Sequence, residues 1–194
     1  MHELTDRSVT IRTRQTLSHN WFTLEKVTFD QTRDDGSRQT LEREVYHNGP
    51  GAAVLPIDRE RGTVLLVRQI RIPAFVNGDD PMLIEVCAGM LEKGDDPAET
   101  VRKEAEQELG YRLREISRVF ELYMSPGASA EKLSLFVAAY RPEDRISTGG
   151  GVVSEGESIQ RLELTLEQAW EMVSAGQIAD AKTVLLLQYV RLNG

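Results

Sequence analysis

Gly89-Met-Leu-Glu-Lys-Gly-Asp-Asp-Pro-Ala-Glu-Thr-Val-Arg-Lys-Glu-Ala-Glu-Gln-Glu-Leu-Gly110 joins a glycine turn, a capped helix and a row of carboxylates in one segment. The helix runs from Asp96 to Leu109. Asp95 or Asp96 serves as its N-cap, Pro97 suits the first turn, and Gly110 stands where the chain leaves the helix. Glu104 and Glu108 are four apart and share a helix face, with Cβ atoms about 5–6 Å apart. Two like charges repel there. A hard divalent cation reverses the sign, because it takes carboxylate oxygens and shares its shell with phosphate. Gly89 permits a tight bend after the preceding strand, which aims the Ala88 carbonyl outward as an oxygen ligand. Lys103 is placed to hold a neighbouring carboxylate in position. The segment reads as a seat for metal-assisted chemistry on a phosphate compound. An ordinary solvated amphipathic helix is the alternative, and it leaves the glycines at both ends unexplained.

Around this segment, strands dominate. Val9–Thr13, Phe22–Phe29 and Glu42–Tyr46 carry strand patterns, with a turn at Asp34–Ser37, and they form a hairpin-rich unit that ends near Asn48-Gly-Pro-Gly51. Ala52–Ile57, Thr63–Val67 and Met82–Cys87 are short apolar runs of buried-strand type, and Arg118–Tyr123 and Leu133–Tyr140 return to strand. Ser147–Glu157 is a mobile loop by composition, and Glu163–Thr165 ends a strand. Leu166–Ala175 and Ala181–Leu192 read as helices, the last with an apolar stripe at Leu185, Leu186, Tyr189 and Val190. Strands mixed with a few helices predict an α/β fold, a sandwich, with residues 1–48 as an N-terminal β unit and 49–194 as the main domain.

Composition narrows the function. A net charge of −8 argues against a nucleic-acid-coating protein. Cys87 is the only cysteine, so no intramolecular disulfide forms, which fits a reducing cytoplasm. No signal-peptide core and no apolar run long enough for a bilayer is present. There is no Gly-x-x-x-x-Gly-Lys-[Ser/Thr] loop of an ATPase, and no Gly-x-Gly-x-x-Gly of a dinucleotide oxidoreductase.

The opening segment resembles the Nudix box: Gly, five residues, Glu, seven residues, then Arg-Glu-(apolar)-x-Glu-Glu-x-Gly-(apolar). Gly89, Asp95 and Lys103-Glu104-Ala105-Glu106-Gln107-Glu108-Leu109-Gly110-Tyr111 keep its spacing. Asp95 replaces Glu, Lys103 replaces Arg and loses the planar fork of donors, and Gln107 removes one carboxylate. The likeness extends to Val67–Arg71, Glu121–Gly127, Gly149–Gly151, Asp180–Leu187, Glu42–Tyr46 and Trp21-Phe22. Together these resemble the branch of Nudix hydrolases that holds the NudK-type GDP-mannose pyrophosphatases and the ADP-ribose pyrophosphatases.

The resemblance implies a Nudix fold, an α/β/α sandwich with a mixed sheet. It implies Mg2+ held by the Ala88 carbonyl, Glu104, Glu108 and Glu157. Glu157 either joins the metal or acts as general base, with Glu155 its rival. Glu108 belongs with these two as a catalytic carboxylate, and Gly89 and Met90 face substrate. Glu131 would touch substrate or a metal-bound water, or else stand as a solvated turn residue. Arg71 suits a bidentate grip on a diphosphate, or else a surface ion pair. Trp21 would stack on a nucleotide base, or serve as a core aromatic of the N-terminal sheet. Arg43 and Glu44 would contact the nucleotide from this subunit or its dimer mate. Lys182 would reach a phosphate, or stand solvated at a helix start, and Cys87 is inert packing. The expected activity is hydrolysis of a nucleotide sugar, GDP-mannose first and ADP-ribose as the alternative. A binding module without turnover is the remaining reading. A homodimer is expected, because the hairpin unit is small and gains from packing on a partner chain.

Overall fold

The structure is a computed structural model and describes residues 9–152, 154 and 156–193. Val9–His19 (β1), Thr23–Thr32 (β2) and Arg38–His47 (β3) form an antiparallel sheet in the order β1-β2-β3. The β2–β3 turn has Gly36 at φ 81° and a Ser37 backbone N–H donating to Asp35. These are the features the Asp34–Ser37 composition predicts. β1 runs six residues beyond the predicted Val9–Thr13. Those residues lie on an outer strand with little buried surface, so pairing with β2 holds them without any hydrophobic alternation to announce it. By its contacts the described part of this unit comprises residues 9–49 together with Ser125–Glu131. That later segment bonds β3, with Tyr46 N–H donating to the Ala128 carbonyl at 2.8 Å and Ala130 N–H to the Tyr46 carbonyl at 2.9 Å.

The second unit contains the remaining elements in chain order. They are Gly51–Asp58 (β4), Thr63–Ile70 (β5), Ile72–Val76 (α1), Met82–Glu85 (β6), Cys87–Met90 (β7) and Pro97–Glu104 (α2). Arg114–Tyr123 (β8), Lys132–Ala139 (β9), Gln160–Thr165 (β10), Leu166–Ser174 (α3) and Ala181–Asn193 (α4) follow. Its seven-stranded sheet is mixed: β10-β5-β4-β9-β8, with β6 on β5 and β7 on β4, and only β4–β9 parallel. β4 is buried at every residue, as an apolar run covered on both faces requires. Alternate residues sort to the two faces. Ala52 and Val54 pack with Val101, Ala105 and Leu109, whereas Ala53 and Leu55 pack with Ala169, Leu186, Leu187 and Val190. This is the predicted helix–sheet–helix sandwich. Of the predicted stripe on α4, Leu186 and Val190 are buried and Leu185 and Tyr189 only partly so, while Leu187 is buried in addition.

The site follows from one irregularity. β4 and β5 pair only at Ile57–Val64 and Asp58–Thr63, then diverge. The predicted strand Met82–Cys87 fills the gap as two strands: β6 pairs with β5, and β7 pairs with β4. Val86 sits between them, fully buried, and its N–H donates to Thr183 Oγ1 at 2.8 Å in place of a ladder bond. The short helix α1 was not predicted; five residues carry no helical period.

Thr183→Val keeps the side-chain volume but leaves the buried Val86 N–H without an acceptor. The substitution should lower stability by about 1–3 kcal/mol. A urea melt would show a lower midpoint at unchanged slope.

Candidate active site

Asp96 accepts from Ala98 N–H at 3.0 Å and is the N-cap of α2; Asp95 instead accepts from Glu92 N–H at 2.8 Å and closes the preceding turn. The helix was expected to continue regularly to Leu109. Instead it ends at Glu104 and widens into a π turn over Ala105–Leu109, which Gly110 closes with φ 75° and an N–H to the Ala105 carbonyl. Such turns are frequent at functional sites. The Gln107 and Glu108 carbonyls, free at this helix end, accept from Gly151 N–H (3.1 Å) and Gly150 N–H (2.9 Å). A Cβ on Gly149 would strike the Glu108 carbonyl, and one on Gly151 would strike the Glu157 side chain. The glycine run that composition marks as mobile is therefore docked on the helix end. Glu155, from the same loop, lies outside the described residues.

Glu108 is 2% exposed. Burial lifts its pKa to about 7; a hydrogen bond with the Cys87 thiol opposes this, the charges of Glu104 and Glu157 add to it, and a bond from the Ala88 backbone opposes it. Its Oε2 has no hydrogen-bond partner among the described residues. Glu104 is half-buried and leans over Gly89, so closely that a Cβ there would collide with its carboxylate. Gly89 is thus needed for space as well as for a bend. Cys87 is packed as expected, yet its thiol also bonds Glu108; burial and then the Glu108 charge push its pKa well above the usual thiol range. Glu157 is half-buried, and its Oε2 accepts from Val152 N–H at 2.8 Å. Lys103 is exposed and makes no ion pair among the described residues, contrary to its expected supporting role. It points away because the face carrying Glu104 and Val101 is the one that turns inward.

This donor set fits a hard divalent cation. An orphaned carboxylate oxygen lies buried among negative charges, and the adjacent thiol keeps its proton. Among the described residues, no three His, Cys, Asp or Glu side chains stand ready to hold an ion by themselves. Backbone oxygen, water or substrate would have to complete the shell.

Two cations lie in the same unit. Arg71 follows β5 and caps α1. Its Nε donates to Glu85 Oε1 at 2.8 Å and its Nη2 to Glu85 Oε2 at 2.7 Å. Glu85, 2% exposed, also accepts from Lys182 Nζ at 3.1 Å. Lys182 Nζ donates to Asp180 Oδ1 at 2.8 Å, so it is not the solvated lysine one expects at a helix start. The pair with Glu85 raises the Arg71 pKa, and the Glu108 charge also acts on it. Glu85 and Asp180 escaped the sequence reading. The only signal for Glu85 was a lone carboxylate inside an apolar strand.

Met90 ends β7 and is 53% exposed. In the N-terminal unit, Trp21 is 87% exposed in the β1–β2 turn and stacks on Phe22, which excludes it as a core aromatic of its own sheet. Arg43 and Glu44 line an open cavity of about 390 Å³ with Val27, Phe29 and Pro126. Glu131 is half-buried, its N–H bonded to Ser129 Oγ.

A family model described as NUDIX domain matches residues 47–185, and one described as GDP-mannose pyrophosphatase NudK N-terminal domain matches residues 8–46. The chain belongs to the Nudix family. Among its relatives are proteins named GDP-mannose pyrophosphatase. That of Salmonella arizonae is 47% identical over 96% of this chain and 97% of its own length. That of Cronobacter sakazakii is 50% identical over 92% of each. A solved structure titled "Crystal structure of ADP compounds hydrolase" shares the fold, with a TM-score of 0.72 at 20% identity over 95% of this chain and 93% of that one.

The Glu108 pKa of about 7 lies above its ordinary 4.5. Between those values the folded, ion-free protein keeps a proton that the unfolded chain has lost, so stability falls as pH rises across that window. Glu108→Gln should therefore be the more stable protein above pH ~7 in a chelator, with the gain gone below pH ~4.5. Thermal unfolding across pH in EDTA measures this.

Proposed function

We propose that this protein hydrolyses the diphosphate bond of a nucleotide sugar with Mg2+, converting GDP-mannose to GMP and mannose 1-phosphate. The observation that carries this reading is the Glu104–Glu108 seat, whose Glu108 Oε2 has no partner among the described residues, in a chain whose close relatives bear the GDP-mannose pyrophosphatase name. Nudix pyrophosphatases generally use a divalent metal, and such an ion supplies charge neutralisation of the diphosphate and acidification of a water.

Glu104 and Glu108 would hold the ion, with the Ala88 carbonyl as a third donor. Glu157, held over the helix end through Val152, would join them or take the proton of the attacking water; Glu155 remains its rival for that role. Arg71 and Lys182 would bind the diphosphate, and Gly89 and Met90 would line the substrate. Trp21 is exposed enough to stack on the base, and Arg43, Glu44 and Glu131 are proposed as further substrate contacts. No covalent intermediate is required, since water reaches phosphorus directly.

A single assay tests the reading. Purified protein with Mg2+ should release GMP and mannose 1-phosphate from GDP-mannose, and kcat/KM should exceed that for ADP-ribose. Glu157→Gln should lower kcat on the order of 10²–10⁴-fold if Glu157 is the base. Tight binding of GDP-mannose without product at saturating Mg2+ would contradict turnover and favour a binding module. Preference for ADP-ribose would reassign the substrate within the family.

We also propose a homodimer in the cytoplasm. Val9, Ile11 and Leu17 stay exposed on the outer strand β1, apolar surface that a second copy would cover. Light scattering at micromolar concentration should give twice the chain mass, and a monomer would contradict the proposal.

A further inference from the structure

Glu85 is the most deeply buried carboxylate of the second unit that the catalytic scheme leaves unused, and both its oxygens are engaged by cations. We infer that Glu85 is a positioning residue that holds Arg71 and Lys182 as a preformed two-cation grip for the substrate diphosphate. The inference rests on the function proposed above and names how that site takes its anion.

The geometry is asymmetric in a useful way. The Nε/Nη2 edge of the Arg71 guanidinium is clamped by Glu85, whereas Nη1 has no hydrogen bond among the described residues. The side chain is 41% exposed, so solvent reaches a guanidinium that still has donors to offer a phosphate. Lys182 is held the same way on its other flank: Nζ meets Glu85 Oε2 at 3.1 Å and Asp180 Oδ1 at 2.8 Å, and only 13% of its side chain is exposed. Asp180 is in turn fixed by the Thr183 N–H (3.0 Å) and hydroxyl (2.5 Å), and that hydroxyl accepts from Val86 N–H, next in chain to Glu85. The cluster therefore closes on itself. Two long, rotamer-rich side chains lose their freedom on folding rather than on binding substrate, which is what preorganisation supplies.

Simple charge counting gives the opposite expectation. Removing the Glu85 charge leaves two cations with less opposition, which should tighten binding of an anion. Positioning predicts looser binding, so the sign of the effect separates the two. Gln at this position accepts through only one of its two side-chain atoms, so it cannot keep both the Arg71 fork and the Lys182 contact.

The test is Glu85→Gln, assayed with GDP-mannose and Mg2+, with GDP binding followed by calorimetry. Positioning predicts a KM raised roughly 10- to 100-fold, as for other partners that orient a ligand-holding group, with kcat changed much less. GDP affinity should fall in parallel. In an Arg71→Gln background the share of the Glu85→Gln effect that runs through Arg71 should vanish, leaving only the Lys182 share. A KM that is unchanged or lower, or a kcat reduced in step with the folded fraction at constant KM, would overturn the inference. If Glu85→Gln does not fold, Glu85→Asp is read by the same criteria, since its carboxylate is one methylene too short for the fork. A wild-type protein that binds GDP without hydrolysing GDP-mannose sinks the proposed function alone. The Glu85 inference then stands or falls on the GDP affinities.

Discussion

The splay between β4 and β5, and the way one chain segment fills it, is the constraint on which the site depends. Those strands bond each other at only two residue pairs. Met82–Glu85 then takes the free edge of β5 and Cys87–Met90 the free edge of β4, so the chain must change partners at Val86. A buried residue that leaves a ladder needs another acceptor for its N–H, and Thr183 of α4 provides one. That exchange puts Glu85 on one side of the change and Ala88-Gly89 on the other. The cation cluster and the carboxylate seat are therefore built on the same few residues.

The electrostatics follow from this placement. Glu85 is buried with two cations and its pKa falls despite the cost of desolvation; Glu108 is equally buried without one and its pKa rises to about 7. The two carboxylates are only as different as their partners. One is satisfied by the protein and serves as structure for its neighbours. The other has an oxygen with no partner among the described residues, an arrangement that is costly by itself and suits a site that receives a cation.

Much of the site could be read before any coordinates. Gly89, Glu104, Glu108 and Gly110 lie within one turn–helix–turn, where fixed spacing and local backbone rules set which side chains share a face. That Ala52–Ile57 is a buried strand was legible from its apolar run; which helices cover each of its faces was not. The π turn was not, because the carbonyls at its end are met by the distant Gly149–Gly151 loop, which no local pattern links to this helix. The pairing of Arg71 with Glu85 and Lys182 was not legible either, since no spacing rule links residues on a strand end, a strand interior and a distant helix.

By itself, then, the sequence determined the sandwich of strands and helices, the carboxylate helix and its caps, and membership of a hydrolase family. The sandwich and the capped helix rest on interactions within a few residues along the chain or on apolar periodicity, and the family rests on the resemblance of Gly89–Tyr111 and the flanking segments to its motif. The tertiary structure alone decided that Met82–Met90 divides between two strands, that Lys103 turns away, that Lys182 is held rather than solvated, and that Glu108 rather than Glu85 has an oxygen without a partner among the described residues. Each depends on which distant group reaches a buried polar atom first, and burial makes that choice costly to leave unmade.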